Sequence, residues 1–344
     1  MNNIGPKNQN FIAESFLQGS DLNKRIGKII KEISQETGFI ADGQTQTSGW
    51  WGSKIIGAFH RHGKYQGKAA VLKVQGIKPN TSEIEMIKSF EAQNKSQIIR
   101  PPKLYATIPW SDEKRYEALI MEDVGDKKVI DAPTNSDEVK RFFRIFKEYR
   151  EKCRNCPWLE RPGISIGEMI KTRFEKWKKS SLEIYPDHPF RNSDDMQLID
   201  QVIKFLVEKY SGIEWEFQHG HLSDSDLYIE ANGQIAVLSN LYWSWRAPFY
   251  DAVFAYHWFI YHLADMKEIT PEEIEKQRKL WLDKIYELFG KDKGLLKLAL
   301  LERAIAGLNL DALSVDIKSP VASYLIERTR KNVISLMEEI NEFN

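Results

Sequence analysis

Between Gln218 and Ile229 the chain reads Gln-His-Gly-His-Leu-Ser-Asp-Ser-Asp-Leu-Tyr-Ile, placing His219, His221, Asp224 and Asp226 within eight residues. An imidazole titrates near neutrality and can take or give a proton at physiological pH. A nearby carboxylate can orient it or hold a hard cation such as Mg²⁺. His219 and His221, at i and i+2 of an extended segment, project to one face, so a metal-dependent hydrolase site is also conceivable, though it lacks further ligands. A second reactive position is Lys73, near the end of the apolar strand Ala69–Val74. Such a lysine is ordinarily solvated. Here Gly49-Trp50-Trp51-Gly52-Ser53 and Gly57 precede it, and a helix carrying Glu83 and Glu85 follows. Phosphoryl transfer needs that set: a loop over the phosphates, a lysine that pairs with them, and a helix glutamate that holds the lysine.

The elements that must position these groups are legible as periodicities. Leu22, Ile26, Ile29, Ile30 and Ile33 recur at helical spacing from Asp21 to about Glu36. Lys54–Arg61 and Ala69–Gln75 read as strands joined by a turn at His62–Gly67. Thr81 or Ser82 can cap a helix running to about Asn94, with Ile84, Ile87 and Phe90 on one face. Leu104–Pro109 and Tyr116–Glu122 read as a further strand pair. Beyond Gly125 helical patterns dominate, at 136–152, 165–184, 194–211, 271–289, 294–312 and 319–342, with one strand-rich island near 225–240. A strand-rich first third followed by helices predicts an α+β architecture in two lobes.

Three further segments complete an ordered series. Ala118-Leu119-Ile120-Met121-Glu122-Asp123-Val124-Gly125 is an apolar strand that breaks into an acidic turn; Asn232-Gly233 is a hairpin turn leading to Ile235-Ala236-Val237-Leu238-Ser239; Pro248-Phe249-Tyr250-Asp251 closes the series. Taken with the lysine strand and the His219–Asp226 loop, this order resembles the aminoglycoside phosphotransferase and choline kinase family over roughly residues 45–265. The resemblance implies a protein kinase-like fold, with an N-lobe at 21–125 after a polar tail 1–20, and a helical C-lobe at 126–344 carrying the catalytic-loop-like segment 217–251. It implies ATP and Mg²⁺ as cofactors and a small hydroxylated molecule as substrate. Lys73, Glu83, Gly52 and the hinge residues Glu122 and Val124 would bind nucleotide. His221 and Asp226 would be catalytic, and Asp226 and Ser239 would hold metal. Glu83 is preferred to Glu85 because Ile87 and Phe90 follow it at the family's spacing.

Three positions depart from that family's usual His-Gly-Asp-Leu-His-Pro-Gly-Asn and its later aspartate. His221 stands where the catalytic aspartate is expected, Asp226 where a metal-binding asparagine is, and Ser239, or Asn240, where the main metal-binding aspartate is. A hydroxyl is a poor replacement for a carboxylate toward Mg²⁺. The sequence therefore carries two main readings: a phosphotransferase with a rearranged site, and a pseudokinase that retains the fold as a nucleotide-binding or regulatory module. Trp243 and Trp245 suit either a stacking platform or core packing, with packing preferred. Arg246 is a candidate source of positive charge beside the loop. Acidic residues at 183–200 suit a solvated surface better than a site for an aminated substrate.

Forty-nine basic side chains balance forty-nine acidic ones in 344 residues, which argues against a nucleic-acid partner reached through a broad basic surface. Phe249–Leu263 is the most apolar stretch, too short and too often interrupted to cross a bilayer. With no secretory signal pattern, a cytoplasmic location without a membrane partner is expected. Cys153 and Cys156, a lone CxxC, are expected to be ordinary reduced thiols.

Overall fold

The computed structural model describes residues 21–50, 55–78, 81–153, 157–192, 194–266 and 268–341. Gly52, expected to help cover a nucleotide, lies outside these residues, as do Trp51, the tail 1–20 and Cys156. The chain forms two compact units. One comprises the chain up to Asn94, Arg100–Asp126 and Ile229–Leu241; the other comprises Lys95–Ile99, Lys127–Tyr228 and the chain from Tyr242. The change of character after Gly125 coincides with the break at Asp126, while Ile229–Leu241 clusters with the strand-rich unit although it lies within 126–344.

In the strand-rich unit, α1 (Leu22–Thr37) precedes β1 (Ile40–Trp50), β2 (Ile55–Tyr65) and β3 (Lys68–Gln75); α2 (Glu83–Gln93), β4 (Leu104–Ile108) and β5 (Glu117–Glu122) follow. The strands form one antiparallel sheet in the order β1-β2-β3-β5-β4. Strand alternation explains its two faces. Ala70, Leu72 and Val74 of β3, with Ala118 and Ile120 of β5, join Ile26, Ile29 and Ile33 of α1 in one buried cluster. The opposite face carries Leu119, against which Ile84 and Ile87 of α2 pack. Lys73 lies directly across from Leu119, so alternation sends it to the α2 side. β1 had no apolar alternation to reveal it, being Gly/Thr/Gln-rich.

The turn expected at His62–Gly67 is shorter. β2 continues through Tyr65, His62–Tyr65 pairing with Val71–Lys68, and the reversal is made by Gln66 and Gly67 alone, at φ 50° and 80°. Such a two-residue turn matches the twist of the flanking strands. Within β2, Gly63 is required by close approach: a Cβ there would lie 2.2 Å from the Ile40 carbonyl oxygen and 2.6 Å from the Phe39 ring. Gly63→Ala is therefore expected to destabilise the chain by about 1–3 kcal/mol through overpacking, read as a lower urea midpoint at unchanged slope. A midpoint equal to the wild type's would show that β1 yields at no cost.

In the helical unit, α3 (Ser136–Cys153), α4 (Ile166–Ile184) and α5 (Asp195–Lys209) lead to β6 (Glu216–Gln218). Strands β7 (Leu227–Ile229), β8 (Ile235–Val237) and β9 (Ser244–Arg246) follow in the chain, then α6 (Tyr250–Leu263), α7 (Pro271–Phe289), α8 (Lys293–Asn309) and α9 (Ala322–Asn341). Helix α8 is buried along nearly its whole length and packs on α4, α5, α6 and α9. Its Glu302 is satisfied by Arg173 of α4 and by the Tyr210 hydroxyl, which donates at 3.1 Å. Strands β6 and β9 pair antiparallel and bracket the His219–Asp226 loop in sequence. At three residues each they are too short to show a period, so only the island near 225–240 was foreseeable. Among the described residues no helix is long and apolar enough to cross a membrane.

Candidate active-site elements

Lys73 and Glu83 meet. The Lys73 ammonium lies 2.6 Å from Glu83 Oε2, with the side chains only 10% and 3% exposed. Glu85, two residues further along the helix, is exposed, so the choice between the two glutamates falls to Glu83. Gln75 adds a donor to the same carboxylate oxygen at 3.3 Å. Sequence reasoning missed Glu117, the first residue of β5, which is fully buried. Its carboxylate accepts from the Glu83 backbone N–H at 3.2 Å and from the Ser82 hydroxyl. Ser82 is thus the N-cap residue of α2 by position, but its side chain makes no cap bond. Glu117 supplies that acceptor from the neighbouring strand, placing negative charge at the positive end of the helix. Burial pushes the Glu117 carboxyl above its usual range, and the neighbouring Glu83 adds to this. His60, across the ladder from Lys73, is lowered to about 4, chiefly by burial and then by the Lys73 charge.

The hinge-like turn follows β5. The Glu122 side chain is committed elsewhere: it accepts from the Lys103 N–H at 2.6 Å and pairs with Arg100. Arg100 also reaches Glu230, Nη2 to Oε1 at 2.6 Å, tying the end of β5 to the turn after β7. Glu122 is thereby held at the end of β5 through Oε1. Its N–H already donates to Lys103 O at 2.9 Å. The Val124 N–H has no acceptor among the described residues, so it is a free donor in that turn. Asp123 accepts from His62 Nδ1 at 3.0 Å and from the Gly125 N–H at 3.0 Å, which fixes the turn.

The His219–Asp226 loop is held from below by Asp251. Its Oδ2 accepts from the Gly220 N–H at 3.1 Å and the Tyr149 hydroxyl at 2.6 Å, while Gln218 donates to Ala247 O and accepts from the Asp251 N–H. Asp251, the last residue of the Pro-Phe-Tyr-Asp series, is therefore a loop anchor. Within the loop, Asp226 Oδ2 accepts from Ser223 N at 2.7 Å, Ser223 Oγ at 2.5 Å and His221 Nδ1 at 3.3 Å. Burial alone would raise this carboxyl, but the His221 charge and hydrogen bond, with His219 and Ser223, more than offset it and hold it at about 2. Asp226 Oδ1 has no partner among the described residues and is the oxygen available to a cation. The His221 ring stacks on Tyr242 at 4.3 Å and 17°, and touches Phe254 at 4.9 Å. With Nδ1 turned to Asp226, Nε2 has no hydrogen-bond partner among the described residues.

The remaining sequence candidates divide. Asp224 does not join Asp226; it pairs with His262 of α6, Oδ1 to Nδ1 at 2.8 Å. Among the described residues no three His, Cys, Asp or Glu side chains converge as a metal site requires, which leaves the hydrolase expectation without support. Ser239 sits at φ 55° and is partly exposed; Asn240 is buried and its amide donates to Val237 O at 2.8 Å. Ser239 is accordingly the one of the two with a side chain left to offer. Trp243 is buried against Phe217, Trp158 and His219, and Trp245 donates its ring N–H to Leu159 O at 2.9 Å, so both serve packing. In the acidic stretch Asp195 is spent on Arg330 and Asp200 on Lys178.

No protein-family model and no curated protein matches the chain. Solved structures do. A thermostable mutant of aminoglycoside phosphotransferase APH(4)-Ia in its apo form superposes with a TM-score of 0.59 at 14% identity, over 89% of this chain and 98% of that one. Choline kinase from Cryptosporidium parvum Iowa II gives 0.54 at 12% identity, over 91% and 97%. Amicoumacin kinase hAmiN, solved with AMP-PNP, Ca²⁺ and amicoumacin, gives 0.54 at 12% identity, over 92% and 96%. At these identities the likeness is one of fold, and the fold is the α+β, two-lobed, protein kinase-like fold of small-molecule phosphotransferases.

Proposed function

We propose that this chain transfers the γ-phosphoryl group of ATP to a hydroxyl group of a small molecule, with His221 taking the acceptor's proton. The observation that carries the reading is the buried Lys73–Glu83 pair, because a lysine fixed by a helix glutamate on a β-strand is the phosphate-holding device that phosphoryl transfer on this fold uses. Structures of this fold have been solved with adenine nucleotides and small-molecule substrates, among them APH(4)-Ia with ADP and hygromycin B. In this chain Lys73 would pair with the phosphates and the Val124 N–H would meet the adenine edge.

His221 replaces a carboxylate base with an imidazole base. Asp226, ionised at any physiological pH, accepts from Nδ1 and stabilises the imidazolium that forms when Nε2 takes a proton. Tyr242 keeps the ring plane fixed. Asp226 Oδ1 fits one position of a Mg²⁺ shell, and the ion when bound supplies neutralisation of charge on the transferred group. The pseudokinase reading draws on a specific observation as well: the partners expected to complete that shell are a neutral hydroxyl on Ser239 and an Asn240 amide already spent on Val237.

Two measurements separate the readings. A thermal-unfolding scan with ATP, with and without Mg²⁺, is expected to show stabilisation; ligand at about a hundred times its dissociation constant adds roughly 2.7 kcal/mol. ADP formation over a panel of hydroxylated acceptors is then expected, falling about 10²–10⁴-fold in His221→Gln while the ATP-induced shift is retained. Stabilisation without ADP formation would favour the pseudokinase. Absence of any ATP-induced shift would overturn the phosphotransferase reading and leave the fold as a regulatory module.

A further inference from the structure

Beside the His219–Asp226 loop the helical unit holds a cationic group to which no carboxylate is bonded among the described residues. Arg246, at the end of β9, is partly exposed, and its Nε is buried without a hydrogen-bond partner among the described residues. No carboxylate among those residues forms an ion pair with it. Two nearby carboxylates, Asp251 and Glu302, act on it by charge without bonding to it. Glu216, its register partner on β6, is bound by Arg150 at 2.8 Å; Asp251 anchors Gly220 and Tyr149 through Oδ2, while its Oδ1 has no partner among the described residues. The guanidinium lies over the Tyr250 ring at 4.9 Å, a ring also approached by Arg173 at 5.6 Å and Arg303 at 5.9 Å. Arg173 is neutralised by Glu302 and Arg303 by Asp311, yet Arg173 Nε and Nη1 and Arg303 Nε remain orphaned donors. Three guanidiniums therefore approach one aromatic ring, and Arg246 is the one of them without an ion pair.

A poorly solvated guanidinium without a partner is costly to keep, and its planar fork matches a carboxylate or phosphate oxygen pair. Its place relates it to the chemistry. A Cβ on Gly220 would fall 3.1 Å from Arg246 Nε, so the backbone between His219 and His221 rests on this side chain. The same Gly220 contact includes the carbonyl of Tyr242, whose ring lies under His221.

We propose that Arg246 is the recognition site for a fixed anionic group on the acceptor, so that the substrate is a hydroxylated acid, carrying a carboxylate or phosphate besides the hydroxyl to be modified. An aminated acceptor would bring like charge to this ring. The use of the site in substrate selection rests on the phosphotransferase reading; the binding of an anion there does not, and the test keeps the two apart.

The experiment is a thermal-unfolding titration of the full chain at constant ionic strength, made up with chloride. Inorganic phosphate and acetate are the bare anions; gluconate and glucose 6-phosphate carry the two anion types on one scaffold, with glucose and glucosamine as neutral and cationic counterparts. Saturable stabilisation is expected from the bare anions and from at least one of the two acids, with none from glucose or glucosamine. Whether gluconate or glucose 6-phosphate binds more tightly identifies the anion. Arg246→Gln should weaken acid binding about ten- to a hundredfold, the worth of a charge-assisted hydrogen bond, and Arg246→Lys should fall between. Shifts are compared within each protein, so a less stable variant remains informative. Equal acid affinity in wild type and Arg246→Gln, glucosamine binding as well as the acids, or no anion effect at all would overturn the proposal. An Arg246-dependent anion shift in a protein that ignores ATP would remove the nucleotide reading and leave this site standing.

Discussion

Lys73→Met is expected to lose all ATP-induced stabilisation and to destabilise the strand-rich unit by about 3–5 kcal/mol, the usual cost of removing one partner of a buried ion pair. The second effect follows from what the lysine faces. Glu83 is 3% exposed, and Glu117 is buried beside it, bonded to the Glu83 backbone N–H. Glu117 is already pushed toward protonation by burial. Without the ammonium, two carboxylates share a dry pocket with only Gln75, Ser82 and a main-chain N–H to support them. Adding Glu83→Gln to Lys73→Met removes that mismatch and is expected to restore most of the stability while ATP binding stays absent. Urea midpoints for wild type, single and double variants, each with and without ATP, separate the structural role from the phosphate-holding one. A single variant as stable as the wild type would show that Glu83 is solvated. An ATP-induced shift that returns in the double variant would show that Lys73 is not the phosphate partner.

That pair was legible because two simple periodicities meet in it. Alternation along β3 sends Lys73 away from Leu72 and Val74, and helical spacing in α2 sends Glu83 toward the face that Ile87 and Phe90 also occupy. Glu117 was not legible: a glutamate at the mouth of an apolar strand looks like a solvated terminus until the helix it caps is placed beside it. The Arg100–Glu122–Glu230 triad joins positions separated by up to 130 residues, and Asp224–His262 by 38. No local pattern encodes either. The His219–Asp226 loop was recognisable by composition, but the division of labour within it was not. Both aspartates looked free to bind a cation, and only the fold shows Asp224 turned to His262 and Asp226 turned to His221 and Ser223. Strands of three residues carry too little sequence for a period, so β6 and β9, which frame the loop, were invisible before the structure.

Acid should weaken this protein well before its carboxylates titrate, and two histidines are responsible. His60 in the strand-rich unit and His257 in the helical unit are each lowered from the ordinary 6.5 to about 4. Burial is the chief cause for both, followed by the Lys73 charge at His60 and the Arg303 charge at His257. Between those two pH values the unfolded chain binds protons that the folded chain refuses. Stability is therefore full above about pH 6.5 and is lost as pH falls toward 4, at about 1.4 kcal/mol per pH unit for each imidazole. Over the whole window that approaches about 3 kcal/mol per histidine. Two groups work the other way. Glu117, raised by burial, and His262, raised by Asp224 against its own burial, are held in their protonated forms by the fold and gain stability as pH falls. Asp226, held at about 2, contributes only below the window. The net expectation is a falling urea midpoint from pH 7 to pH 4.5, with His60→Gln and His257→Gln each flattening part of the slope. A pH profile left unchanged by both His60→Gln and His257→Gln would mean that neither imidazole is kept neutral by its surroundings, and for His60 the dry environment inferred around Lys73 would have to be abandoned.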